Sequence, residues 1–305
     1  MANDLSVFNS EAWSDRLVSK LDQVNVMLPL VNRNWEGDLR LNKTVWVRTP
    51  GNITFAPYSR GTTINYQDLT PTKEAFTVND GEYFAFEVDD LDKAQSDANT
   101  MDIYMKRAVV AMNNMVEAKI LEAYTYTPAA NQIAGPSGAA ITLTGVTSPD
   151  TGIYQLFCKA RAMQSKNNVP SLPGSRWAVI DPDTTNLLLQ DTEHFIRAGE
   201  LGDKVVQFGL LGGEEVARSA VDAPGFLGMV AGYMVYETPH VPTSDGAKYL
   251  LFGDNEAISY VAQITEIEAL RLQTTFATAV RGLLLHDIFV PAECAKRLVS
   301  IKATA

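Results

Sequence analysis

The residues able to do covalent chemistry are few in this chain, and their spacing does not serve it. His194, His240 and His286 are scattered, without a second ligand-type residue at the short intervals that build a zinc site. Each reads as a structural or surface residue. Two carboxylate pairs, Asp181/Asp183 and Glu214/Glu215, are of the right type for acid–base work. A helix cap accounts for the first pair and a solvated loop for the second. Cys158 and Cys294 form no CxxC, which indicates neither a disulfide framework nor a zinc site. Both read as small buried apolar residues in a reducing compartment. The elbow GxSxG, the phosphate loop GxxxxGK followed by Ser or Thr, and the pair HExxH are absent. Gly225-Phe-Leu-Gly228-Met-Val-Ala-Gly232 superficially suggests a cofactor turn, but it neither follows a clear strand nor opens a helix. It reads as a turn leading into the strand Tyr233–Tyr236. Asn42-Lys-Thr44 and Asn52-Ile-Thr54 match the glycosylation sequon and carry no meaning without a secretory route. No catalytic, cofactor-binding or metal-binding residue is assigned, no cofactor is expected, and the chain reads as something other than an enzyme.

Composition bounds the rest. A chain of 305 residues suits two modest domains or one elongated multi-part subunit, and 46% hydrophobic residues is ordinary for a folded protein. Lys plus Arg is 25 against 36 Asp plus Glu, a net charge of −11. That balance excludes a dedicated nucleic-acid binder, which needs a cationic face, but not a protein that encloses nucleic acid without adhering to it. The N-terminal stretch MANDLSVFNSEAWSDRL has no basic n-region or apolar h-region, so no secretory signal is expected. No apolar run reaches the roughly 18 residues of a bilayer span, so no membrane partner is expected either. Synthesis in the cytosol follows from both.

The elements that must position these residues are clearer than the chemistry. Residues 9–26 read as a short amphipathic helix capped by Ser10, with Trp13, Leu17 and Leu21 on one face. Leu28 to Gly37 is irregular and reads as an extended arm. Residues 44–88 carry strand signals, beginning with the alternating, β-branched Thr44–Thr49 and the turn Pro50–Gly51. Ile53–Phe55 and Thr63–Tyr66 flank a loop tip at Ser59-Arg60-Gly61. After Asp68–Pro71, Phe84, Phe86 and Val88 alternate with Tyr83, Ala85 and Glu87. This β-hairpin region has too few apolar residues for a core of its own, and an isolated ribbon is marginal in water, so it should lie on a neighbouring subunit.

Residues 89–126 then read as one long helix. Met101, Met105, Ala108, Met112 and Met115 fall on one stripe, and Asp89, Asp90 and Asp92 suit its N-terminus. About 30–35 helical residues span roughly 45–52 Å, far beyond the usual helix. Such a rod suits a broad, thin subunit better than a compact enzyme. Residues 127–150 read as a loop around a short strand, Ala140–Leu143. Residues 149–167 read as a helix capped by Ser148 or Asp150, with Tyr154, Phe157, Cys158, Arg161 and Ala162 within it. Arg176–Ile180 is expected to be a buried strand, and Asp181 to cap a helix that starts at Pro182. The glycine-rich 199–232 should be loop. Gly232–Glu237, Tyr249–Phe252, Ala257–Gln263, Ala277–Leu285 and Leu298–Ile301 read as strands. The absence of a βαβ rhythm makes the class α+β.

Several stretches carry a family likeness in their order and number. They are Gly61-Thr-Thr-Ile-Asn-Tyr-Gln-Asp-Leu-Thr70, Phe84-Ala-Phe-Glu-Val-Asp-Asp90 and Arg176-Trp-Ala-Val-Ile-Asp-Pro182. The tail adds Tyr249-Leu-Leu-Phe-Gly-Asp-Asn-Glu-Ala-Ile258, Val280-Arg-Gly-Leu-Leu284 and Val290-Pro291. With the arm, hairpin, spine helix, central α+β domain and returning strands, nearly the whole chain resembles the major capsid (coat) protein of tailed bacteriophages, the Hong Kong 97 fold. The resemblance implies an N-terminal arm at 1–43, an extended loop at 44–88 and a peripheral domain with the spine helix at 89–152. It further implies an axial domain at 153–250 and peripheral return strands at 251–305. It implies intersubunit contacts at Arg48, Phe55, Tyr58, Arg60 and Lys73, with Met101, Met105, Met112 and Met115 as the spine-helix core. Hexamers and pentamers of the chain would close an icosahedral head around double-stranded DNA, held without sequence-specific contacts, in a virion assembled in the host cytoplasm. Without a long helical extension before the arm, a separate scaffolding protein is implied, besides a portal. No lysine–asparagine pair is placed for cross-linking; Lys43 and Lys73 are candidates by location alone. Two other readings stay open: an encapsulin-like nanocompartment shell, which a cargo-peptide groove would favour, and a soluble α+β enzyme, which a discrete monomer would favour.

Overall fold

The computed structural model describes residues 25–39, 44–51, 53–61, 63–64, 66–89, 100–145, 148–172, 174–190, 224–272 and 276–304. Residues 9–24 of the helix expected at 9–26, the acids Asp90 and Asp92, and most of the glycine-rich segment lie outside them. So do His194, Glu214, Glu215, Lys43, and the sequon residues Asn42 and Asn52. Asn25 and Val26 are described and are not helical.

Three antiparallel β-pairings set the frame. Strand β1 (Thr44–Thr49) pairs with β2 (Thr72–Thr77) as a two-stranded ribbon, Thr44 opposite Thr77 and Thr49 opposite Thr72. Strand β3 (Asp80–Asp89) is not part of that ribbon. It pairs with β9 (Ala277–Phe289), which pairs in turn with β8 (Ser259–Arg271), giving a three-stranded sheet. Period-two alternation identified β3 as a strand; its partner lies near the other end of the chain.

The spine helix, α1, runs over Thr100–Leu121 and tightens into a 3-10 turn at Glu122–Tyr126. Within the described residues, the helix expected over 89–126 gives way to strand at residue 89 and to the 3-10 turn at 122–126. Asp89 is held in β3 opposite Ala277. Val116, Ile120 and Leu121 of α1 enter the main core; Met112 and Met115, half-buried, pack against the same core where it meets β3 and β9. The side chains of Met101 and Met105 lie outside the described residues.

The main core surrounds an eight-stranded sheet. Its central strands are β10 (Val299–Thr304), β7 (Ala247–Asp254), β4 (Arg176–Ile180), β6 (Tyr233–Glu237) and β5 (Phe226–Val230), in that order. Every residue of β4 is buried, as its apolar run predicts for a strand flanked on both sides. Val230 and Tyr233 face each other across a two-residue turn, Ala231-Gly232, both at positive φ (49° and 85°). That is the primed hairpin geometry, so Gly232 serves a turn, whereas Gly228 lies within β5, in a stretch expected to be loop. Helix α2 (Ile153–Lys166) lays Leu156, Phe157 and Ala160 on the sheet, where Phe157 meets Phe252 and Tyr233 edge-on at 4.9 and 6.2 Å. Its N-cap is Gly152, with no side-chain cap; Asp150 pairs instead with Lys159 at 2.8 Å. Cys158 faces outward on α2 and is exposed, against the expectation of burial, because it lies one position off the Phe157 face. Helix α3 (Pro182–Gln190) starts as expected: Asp181 accepts from the Thr184 hydroxyl, and its carbonyl accepts from the Thr185 amide.

The segment expected as an extended arm packs on the core over residues 25–32. Val26 and Met27 are fully buried, and Asn32 bridges to Ser259 by exchanging backbone bonds with Ile258 and Tyr260.

Candidate assembly surface

The ribbon is firmly anchored at one end. Phe76 of β2 is buried and stacks on Phe289 of β9 with ring centroids 4.9 Å apart, alongside Val45, Val78 and Val261. The Thr44 and Thr77 hydroxyls meet at 2.9 Å, and Glu74 accepts from the Ala292 amide at 3.1 Å. Beyond that base, burial ends quickly. Trp46 is exposed, with the Lys73 ammonium 4.9 Å from its ring centroid, and Arg48 sits directly opposite Lys73.

Between β1 and β2, residues 50–71 form no described strand; Ile53–Phe55 and the described part of Thr63–Tyr66, both expected to be extended β, run as coil. Gln67 and Thr54 clamp the loop internally. The Gln67 amide donates to the Thr54 carbonyl and hydroxyl at 2.6 and 2.7 Å and accepts from the Thr54 amide at 3.1 Å. The tip turns at Arg60-Gly61, where Gly61 has φ 93°, as the sequence suggested. Phe55 is 98% exposed and Tyr66 95%, with Ile53, Tyr58, Ile64 and Leu69 also open. Contiguous apolar side chains left in water mark a binding surface. Of the anticipated contact residues, the structure brings Arg48 and Lys73 together on the ribbon and strings Phe55, Tyr58 and Arg60 along the loop.

The groups that suggested chemistry are occupied elsewhere. Lys248 binds Asp181 and Asp183, each at 2.5 Å; burial opposes its charge, but these two bonds prevail and raise its pKa. Burial also pushes the Cys294 thiol upward, away from reactivity. His240 Nδ1 lies 3.1 Å from Glu117 of α1, a fully buried carboxylate that also accepts from the Val26 amide at 3.3 Å. Glu117 thereby joins the spine helix, the N-terminal segment and the turn after β6. Glu117 is not singled out from sequence, and His286 reads only as structural or surface. Their signals were present: Glu117 adjoins the face of Val116 and Ile120, and His286 continues the inward alternation of Leu284 and Ile288. Among the described residues no group of three or more His, Cys, Asp or Glu can hold a metal ion, and no helix is long and apolar enough to cross a membrane.

An exposed ribbon, a spine helix packed on the core, and a central sheet make the Hong Kong 97-type fold of a capsid subunit. A family model described as phage capsid protein matches residues 74–289, and the chain belongs to that family. It is a structural protein of a phage shell. Among solved structures it is similar to a chain of Mycobacterium phage Che8, with 21% identity and a TM-score of 0.72 over 96% of this chain and 97% of that one. It is similar to the capsid of cyanophage P-SCSP1u (14%, TM-score 0.70, covering 100% and 95%) and to that of Ralstonia phage GP4 (12%, 0.70, covering 97% and 95%). No curated protein matches the sequence. Arg48, Phe55, Tyr58, Arg60 and Lys73 all precede the matched residues.

Proposed function

We propose that this chain is the major head subunit, and that its copies join as hexamers and pentamers into an icosahedral shell around double-stranded DNA. The supporting observation is the loop 50–71, whose side chains, led by Phe55 and Tyr66, have no cover from their own chain. A second copy supplies that cover, with Arg48, Phe55, Tyr58, Arg60 and Lys73 in the contact. The resulting contact is heterologous, and repeated around an axis it closes into rings. In this reading 1–43 is an arm that residues 25–32 pin to the core, 44–88 the extended loop, 89–152 and 251–305 the peripheral domain, and 153–250 the axial domain. Subunits assemble in the host cytoplasm on a separate scaffolding protein and a portal. The net charge of −11 suits a wall against which DNA spools without adhering.

Electron microscopy of the purified protein, alone and co-expressed with a scaffolding protein, tests the proposal. Closed shells or rings are expected, most uniform with scaffold. A discrete monomer under every condition overturns it.

A further inference from the structure

We propose that His286 is an acid-operated release at the joint between the spine helix and the three-stranded sheet: a proton on its imidazole recruits Asp80, which then leaves Lys119. The starting point is an anomaly. His286 is 2% exposed, and neither ring nitrogen has a hydrogen-bond partner. Buried polar groups are ordinarily paired. The hydroxyl of Tyr260, whose ring lies 6.2 Å away, is likewise buried without a partner.

The surroundings specify what a proton would do. In the β9–β3 register His286 stands directly opposite Asp80, one step along the inner face from Leu284 opposite Glu82. The charged groups facing it are Asp80 and Glu82 from β3, Lys119 from α1 and Asp287 from its own strand, while β8 contributes Tyr260. Asp80 is engaged by Lys119 at 2.6 Å. Lys119 also has a second acidic partner, Glu122, at 3.3 Å. Asp80 can therefore leave without stranding the ammonium.

Burial keeps the imidazole neutral at rest, holding its pKa below the ordinary value despite the nearby carboxylates. A charge placed there needs a counter-ion, and Asp80 is the acid its strand register supplies. Once Asp80 turns to His286, its bond between β3 and the last turn of α1 is gone. The consequence reaches the ribbon, because β3 follows β2 after Val78 and Asn79, and the Asn79 amide is itself held by Asp287 at 3.2 Å. The sign follows from linkage. The released arrangement binds the proton more tightly than the closed one, so the closed joint is fully stable above the ordinary histidine pKa of about 6.5 and weakens as pH falls below it.

Hydrogen exchange of the full chain, corrected for intrinsic rates and read by mass spectrometry between about pH 7.5 and 5, tests the device. In the wild type, exchange over 80–89 and 116–121 should rise about tenfold on acidification, the effect of one unit of proton linkage. His286→Phe keeps the ring and removes the titration, so its exchange there should stay flat. Asp80→Asn gives a second route: it breaks the Lys119 bond directly, so exchange should already be fast at neutral pH and should not respond to acid. A wild type without acid response overturns the proposal. So does either variant responding as the wild type does.

Discussion

Phe157 and Phe55 are the same residue treated in opposite ways. Phe157 is fully buried in an aromatic cluster with Phe252 and Tyr233, on a sheet completed by its own chain. Phe55 is almost wholly in water, on a loop whose ribbon is tied down at the Phe76–Phe289 end. The central sheet draws its stability from within the molecule, whereas the ribbon and loop hold a surface in readiness for another copy. Substitutions should therefore separate folding from assembly according to which region they strike.

The largest effect is expected in the central sheet. Phe157→Ala removes a ring from a closed cluster and should cost about 3–5 kcal/mol of stability. Against a typical total of about 5–15 kcal/mol, that leaves a protein that denatures early in urea or fails to accumulate in soluble form. A midpoint close to wild type would show that the cluster is not where the stability of this half resides.

The opposite outcome is expected in the loop. Phe55→Ser combined with Tyr66→Ser should leave the urea midpoint nearly unchanged, within about 0.5 kcal/mol per site, because neither side chain is covered. Sedimentation should nevertheless show the large assemblies lost or much reduced. If the double variant assembles as well as the wild type, the contrast drawn between the regions is wrong, since the loop's apolar side chains would have no partner.

The two regions also differed in how far their sequences could be read. Arg176–Ile180 declared itself a buried strand through the apolar run Trp177–Ile180, and the Asp181–Pro182 start of α3 followed from local rules that need no tertiary partner. Alternation over Phe84, Phe86 and Val88 identified a strand but carried no information on pairing. Adjacency in the chain suggested the ribbon, yet the three-stranded sheet claims β3 through β9. The methionine stripe marked the covered face of α1, which Val116 and Ile120 continue at helical spacing from Met112, but Glu117 beside it reads as polar until His240 and Val26 are seen against it. Cys158 illustrates the converse limit. Its type favours burial, but its place on α2 turns it to solvent. The loop was legible as unsupported, and its tip at Arg60-Gly61 was placed correctly by turn chemistry alone.

The smallest effect concerns the Gln67–Thr54 clamp inside the loop. Gln67 makes all three of its bonds to Thr54, and all of them are solvent-exposed, so water competes for each partner. Gln67→Ala should therefore cost about 0.5–1.5 kcal/mol of local order, the net worth of a typical hydrogen bond, with no measurable change in the global midpoint. The cost should appear in trypsin cleavage after Arg60 of unassembled subunits, because a protease cuts the opened loop in proportion to its population. A free energy of that size corresponds to a rate about 2- to 10-fold faster than wild type. Incorporated into shells, the variant should resist cleavage as wild type does, since a neighbour's surface then holds the loop more strongly than Gln67 can. Cleavage at the wild-type rate in free subunits would mean that the loop is already open past Thr54 and that its shape is set wholly by the partner.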